Sequence, residues 1–231
     1  MPYKLIKGGV CAPEGFLAAA VSCGIKNPED PRSDLALIFS ERPCVSAGTF
    51  TTNRVKAAPV KVTQAHLRAR ELRAIVANSG NANACTGVKG VEDARTMAKS
   101  VARALSLRQR EVGVCSTGVI GLPLPMDRVE SGLAALPDHL GPREGTAVAK
   151  AIMTSDSSVK EVAITATIGR RKVRIGACAK GAGMICPSMA TMLCFVTTDA
   201  NVGKACLQKS VLEAVEISFN RICIDGDMST N

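Results

Sequence analysis

The run from Lys180 to Leu193 reads Lys-Gly-Ala-Gly-Met-Ile-Cys-Pro-Ser-Met-Ala-Thr-Met-Leu. It sets Thr191 directly after a small residue, Ala190, and at the head of an apolar, strand-like stretch from Met192 to Thr198. A threonine so placed can be its own catalytic centre. If the Ala190–Thr191 bond is cut, the new α-amine can take the proton of the Thr191 hydroxyl, and one residue supplies both nucleophile and base. With a pKa of roughly 7.7–8.0, that amine is partly unprotonated near neutrality. Such chemistry needs no histidine, and the chain holds only two, His66 and His139. Their surroundings, a basic helical stretch and a Pro-rich loop, mark both as surface residues. Taken alone, a Met-Ala-Thr-Met segment reads as an ordinary core strand; its company is what gives it another meaning.

Two further segments could supply the rest of a site. Cys115-Ser-Thr-Gly-Val-Ile-Gly121 reads as a strand end opening into a glycine turn, which can aim a backbone N–H and a hydroxyl at a developing oxyanion. Asn78 to Gly87 follows a strand and is rich in small residues and side-chain amides. It is equally readable as a tight turn held by asparagine side chains or as a backbone cradle for a polar ligand. There is no phosphate-binding Walker loop, and Gly181-Ala-Gly183 carries only the first half of a dinucleotide fingerprint.

The elements that must position these residues form a mixed series. Asp34–Ser40 and Arg73–Ala77 are short apolar runs that read as buried strands, and Thr49–Arg54 is β-prone. Glu92 to Leu105 is the clearest helix, with Val91, Ala94, Ala98, Val101, Ala102 and Leu105 on one face. Glu111–Cys115 reads as a strand running into the Ser-Thr-Gly turn. Residues 161–177 alternate as a β-hairpin turning at Gly169-Arg170. Lys204–Arg221 reads as a helix that buries Leu207, Val211, Leu212 and Val215. Pro- and Gly-rich stretches at Gly121–Pro125 and Pro137–Gly145 punctuate the chain. Strands and helices in this order indicate an α+β, layered α/β fold.

Composition narrows the function classes. The 231 residues are 46 % hydrophobic and 21 % charged, a globular balance. Aromatics are 3 %, too sparse for single-stranded nucleic-acid recognition by stacking. The net charge of +9 is dispersed, densest at His66–Arg73 and Arg170–Arg174, and reads as a solvated helix face and a hairpin tip. Ten cysteines include no Cys-x-x-Cys pair, and with two histidines they offer no zinc pattern. They read as reduced, buried, small hydrophobes of a cytoplasmic protein without metal. No apolar stretch has the length to span a bilayer.

Taken together, the segments resemble the ornithine acetyltransferase family of arginine biosynthesis (glutamate N-acetyltransferase, ArgJ type). The matching stretches are Gly8–Val10, Ala12–Phe16, Thr51–Pro59, Asn78–Gly87, Ser116–Pro125, Ala151–Asp156, Lys180–Leu193 and Ser218–Asn231. The resemblance implies an αββα sandwich related to N-terminal-nucleophile hydrolases. It also implies self-cleavage of the Ala190–Thr191 bond into an α segment (1–190) and a β segment (from 191) within one domain. Thr191 would carry the acetyl group from N-acetyl-L-ornithine to L-glutamate, with Thr117 and Gly118 as oxyanion hole and Thr154, Lys180 and Thr191 binding substrate. No cofactor is implied, although acetyl-CoA is a conceivable co-substrate. The partners implied are the two segments themselves, assembled as a heterotetramer of two α and two β, with neither nucleic acid nor membrane. Family members continue well past the Asp-Gly-Asp-x-Ser-Thr-Asn motif, so the chain reads as a truncated form lacking a complete acceptor site. The alternatives are an N-terminal-nucleophile aminopeptidase or amidohydrolase, an inactive fragment of the acetyltransferase, and a basic nucleic-acid binder resting only on the net charge.

Overall fold

Residues 35–40 form a strand that is apolar at every position but the last, and in the structure both faces of that strand are covered. The structure, a computed structural model, describes residues 3–69, 71–186 and 192–231. In chain order its elements are β1 (Tyr3–Ile6), β2 (Phe16–Val21), β3 (Leu35–Ser40), α1 (Ala58–Ala69), β4 (Ala74–Asn81), α2 (Gly87–Ala104) and β5 (Val112–Val119). They continue with α3 (Met126–Ala135), α4 (Gly145–Ala151), β6 (Lys160–Ile168), β7 (Arg171–Lys180), β8 (Leu193–Thr198) and α5 (Lys204–Ile217). One sheet has the order β2-β3-β4-β5, the other β1-β6-β7-β8. All neighbours are antiparallel except β4 and β5, which α2 joins as a parallel crossover.

Two cores explain the layering. Leu35 and Leu37 of β3, Val76 of β4 and Val112 and Val114 of β5 point to one side, where Met97, Ala98 and Val101 of α2 and Val129 and Leu133 of α3 cover them. The alternate residues Ala36 and Ile38 point to the other side, into a second core with Val148 of α4, Ile152 directly after that helix, Cys178 of β7 and Phe195 of β8. A strand buried on both faces needs an unbroken apolar run, and this one has it. The fold is thus an α+β sandwich, helices against one sheet and a second sheet against the other face. Among the described residues no helix is long and apolar enough to cross a membrane.

Most sequence-based elements are present. The hairpin turns at Gly169-Arg170 with β6 and β7 in register, and the helix expected at 92–105 extends from Gly87 to Ala104. Four expectations differ. Thr49–Arg54 forms no ladder; it is held instead by the chain end, where Thr51 Oγ1 donates to Ser229 O (2.8 Å) and Asn53 Nδ2 to Met228 O (3.2 Å). The helix at 204–217 has no fully buried residue, and Leu212 is half-exposed. The cysteines divide: Cys11 and Cys178 are buried, but Cys85, Cys206 and Cys223 are exposed. His66, read as a surface residue, is buried, whereas His139 is exposed as expected.

The reason for burying His66 lies in the edge of the first sheet. β5 is an edge strand, and its outward polar groups need partners. The His66 ring bonds Val112 O through Nδ1 at 2.8 Å, a contact in which the ring nitrogen must carry the proton. Thr63 Oγ1 bonds both Val114 O and Val114 N at 2.7 Å, and Asn231 Nδ2 donates to Ser116 O at 2.8 Å. Side chains from α1 and the chain end therefore stand where a neighbouring strand would be.

Candidate functional site

Next along β5 come Thr117 and Gly118, both at the end where β4 and β5 run side by side. Gly118 has φ +136°, a backbone state L residues rarely adopt, and a Cβ there would overlap the backbone of Gly80. Gly80 is its register partner, with φ +98°. A Cβ on Gly80 would in turn meet the backbone nitrogen of Lys26 at 2.8 Å. Three chain segments thus stack backbone on backbone, and two glycines are what let them.

The asparagine-rich segment ties this end together. Asn78 Nδ2 donates to Asn81 O (2.9 Å), Asn81 Nδ2 to Leu122 O and Pro123 O (3.1 Å each), and Ser116 Oγ to Asn78 Oδ1 (2.6 Å). Asn231 Nδ2 adds a bond to Ala82 O at 2.7 Å. These amides bind the protein's own backbone, which fits the turn reading of Asn78–Gly87.

Lys180, at the end of β7 on the other sheet, reaches across to this turn. Its ammonium donates to Thr117 Oγ1 at 3.2 Å, and the side chain is almost fully buried. Burial holds the Lys180 pKa below its ordinary value, against the opposing pull of the nearby Asp156 carboxylate. The Thr117 hydroxyl, accepting from Lys180, keeps its own proton to donate. Thr154 lies in the turn between α4 and β6, half-buried, and its amide donates to Asp156 Oδ2 at 3.2 Å. Gly181 N donates to Asp156 Oδ1 at 2.7 Å. Asp156 is thereby joined to the residue after Lys180 as well as to Thr154. Its burial raises its pKa, but Lys160, the two amides and Lys180 outweigh this and hold the carboxyl below its ordinary range.

Ala190 and Thr191 lie outside the described residues. The nearest described residues frame them: Leu193 is the register partner of Lys180 at the start of β8, and Met192 is half-buried. On the other side, the amides of Met184 and Ile185 donate to the Asp225 carboxylate at 2.6 and 2.9 Å. Of the residues expected in a site, the structure brings Thr117, Gly118 and Lys180 together, and links Thr154 to them through Asp156. Sequence reasoning assigned no part to Asp156, Lys26 or Asn231, and took in Gly80 only as a member of the Asn78–Gly87 segment. A positive-φ glycine leaves little trace in a single sequence, and so does a carboxylate whose partners come from separate segments. The Thr-Ser-Asp spacing at Thr154–Asp156 is the one local signal that could have pointed to it.

Chemically, the arrangement offers a buried cation, a hydroxyl and a glycine amide at one sheet end. That combination suits a substrate bearing a carboxylate and a carbonyl whose oxygen gains charge during reaction. Among the described residues no cluster of His, Cys, Asp or Glu is arranged to hold a metal ion.

Known proteins share this arrangement of chain. The family model described as the ArgJ family matches residues 17–231. The arginine biosynthesis bifunctional protein ArgJ of Symbiobacterium thermophilum is 53 % identical over 226 residues, which are 98 % of this chain and 56 % of that protein. The chain therefore spans a little over half the length of that curated relative. The crystal structure of ornithine acetyltransferase from Mycobacterium tuberculosis, complexed with ornithine, matches with a TM-score of 0.72 and 42 % identity. The match covers 83 % of this chain and 100 % of that one. An L-aminopeptidase D-Ala-esterase/amidase from Ochrobactrum anthropi, described as a variant of the Ntn hydrolase fold, matches with a TM-score of 0.52 at 11 % identity, a likeness of fold alone. That match covers 93 % of this chain and 70 % of the other.

Proposed function

Because this chain belongs to the ArgJ family, we propose that its residues build the acetyl-transfer site of an arginine-biosynthesis acetyltransferase that moves an acetyl group from N-acetyl-L-ornithine to L-glutamate. The observation that carries the reading is the contact of Lys180 with Thr117 beside Gly118, at the sheet end where Leu193 pairs with Lys180.

On this reading the Thr191 hydroxyl first attacks the carbonyl carbon of Ala190. The peptide C–N bond breaks, an ester forms, and water hydrolyses it to leave the Ala190 carboxylate and a free Thr191 α-amine. That the solved ornithine acetyltransferase chain is matched end to end by 83 % of this chain supports the cleavage, since residues 1–190 make up a similar share of 231. In turnover, the Thr191 oxygen attacks the acetyl carbonyl of N-acetylornithine while its α-amine accepts the hydroxyl proton. The Gly118 amide and Thr117 hydroxyl receive the oxyanion, and the proton passes to the departing ornithine amine. The glutamate amine then attacks the acetyl-threonine and leaves as N-acetylglutamate, returning the proton. Lys180 and Thr154 hold the substrate carboxylate. Acetyl-CoA is the second acetyl donor that this reading allows. The segment 1–190 and the segment beginning at Thr191 stay associated as α and β, two of each, in the cytoplasm.

The denatured intact mass is the first test. Two species divided at Ala190–Thr191 are expected; a single uncut species, at 24.0 kDa for this chain and at full mass for a chain extended to the length of the relatives, overturns the role of Thr191. Incubation with N-acetylornithine then separates transfer from hydrolysis. Acetate release that is independent of glutamate identifies an amidohydrolase instead.

A further inference from the structure

Asp156 has no part in the chemistry above, yet three segments of the site converge on its carboxylate. The side chain has no solvent exposure. Oδ1 accepts from the Gly181 amide and from Lys160 Nζ, each at 2.7 Å, and Oδ2 accepts from the Thr154 amide at 3.2 Å. A carboxylate removed from water persists only where charge and hydrogen bonds compensate it. Lys160 alone would supply the charge. The two amide bonds do something else, because they lock the backbone of Thr154 to the backbone beside Lys180.

We propose that Asp156 is the positioning residue of the substrate-carboxylate site, fixing Thr154 and Lys180 relative to each other and placing its negative charge beside the Lys180 segment. The proposal rests on the acetyl-transfer reading for the identity of the substrate, but not for the geometry. The charged groups facing Lys180 are Asp156, Lys160 and Lys26. Burial and the two lysines favour a neutral Lys180 amine; of these groups Asp156 alone favours the cation. A neutral amine would lose its charge-assisted bond to a substrate carboxylate. Asp156 therefore acts on substrate through Lys180 and does not touch it.

The test is the titration of the Lys180 side chain, followed by 13Cε and 15Nζ NMR and assigned by its loss in Lys180→Arg. In Asp156→Asn, which keeps the size but removes the charge, the Lys180 midpoint moves to lower pH. In Lys160→Gln it moves to higher pH, because a repelling charge is gone and Asp156 is left to Lys180. Unchanged midpoints in both variants overturn the proposal. If Asp156→Asn does not fold, an unchanged or lowered midpoint in Lys160→Gln overturns it alone. In the transfer assay, Asp156→Asn raises KM for N-acetylornithine about tenfold more at pH 9 than at pH 6, with kcat little changed. An equal loss of kcat at both pH values would instead mark Asp156 as a general structural support and sink the proposal. Absence of transfer by a chain extended to the length of the relatives counts against the acetyl-transfer reading, while the NMR titration still decides the role of Asp156.

Discussion

The two sheets of this molecule obey the same period of two and treat it differently. In β3, alternate residues enter two different cores, Leu35 and Leu37 under the helices and Ala36 and Ile38 between the sheets. In the second sheet only one face is buried. Phe195 and Thr197 of β8 point inward, whereas Val196 between them is 61 % exposed, and so are Leu5 of β1 at 72 % and Val162 of β6 at 49 %. The open face keeps the alternation of a half-buried strand but not the polarity that usually accompanies it. Alternation therefore reports which residues share a face, and says nothing by itself about whether that face meets solvent.

The contrast is open to direct attack. Leu37→Ala removes side-chain volume from a closed core and is expected to lower stability by about 2–5 kcal/mol in urea denaturation. Leu5→Ala, the same chemical change on the open face, is expected within about 0.5 kcal/mol of zero. Equal losses at the two positions would mean that the faces do not differ as described. The edge of the covered sheet gives a smaller effect. Thr63→Val keeps the shape but leaves Val114 N and Val114 O without their hydroxyl partner, at a cost of about 1–3 kcal/mol. Amide exchange of Val114 should accelerate in step, and a variant as stable as the parent would remove side-chain capping from the account of this edge.

The smallest effect is expected beside the second sheet, in the turn that leads into β6, and in acid. Asp156 has a folded pKa below its ordinary value, so its stabilisation is present above that ordinary value and is lost as pH falls through the folded one. The unsubstituted protein should thus lose stability below about pH 4 more steeply than Asp156→Asn, whose profile there should be flatter. Parallel acid limbs in thermal melts would show that the carboxylate gains nothing from its partners.

How much of this was readable beforehand follows from where each signal resides. The β6–β7 hairpin and α2 were legible because their evidence is local: alternation around Gly169-Arg170 in one, an apolar stripe in the other. α1 was legible only at its end, as the basic helical stretch around His66, although Pro59 at its start is a helix-opening residue. His66 was misread because its sequence neighbours are basic, while its partner, Val112 O, is 46 residues away. The same distance problem hides much of the site. Thr117 and Lys180 are 63 residues apart and on different sheets, and Asn231 reaches Ser116 across 115. Their types were visible and their resemblance to a family pointed to them. The contacts themselves depend on how the sheets stack, which no local pattern encodes. Asp156 shows this most clearly, since one partner, Thr154, is two residues away and another, Gly181, is 25.

The bond between Lys180 and Thr117 has a consequence for the order of events in the life of the chain. Neither sheet owns the site: one contributes the cation, the other the hydroxyl and the glycine. A half-folded chain, with either sheet formed alone, holds unarmed parts. On the reading proposed here, scission at Ala190–Thr191 is then a coincidence detector, fired only when both halves have docked. Each cut molecule would be a permanent record that its own assembly had once been completed.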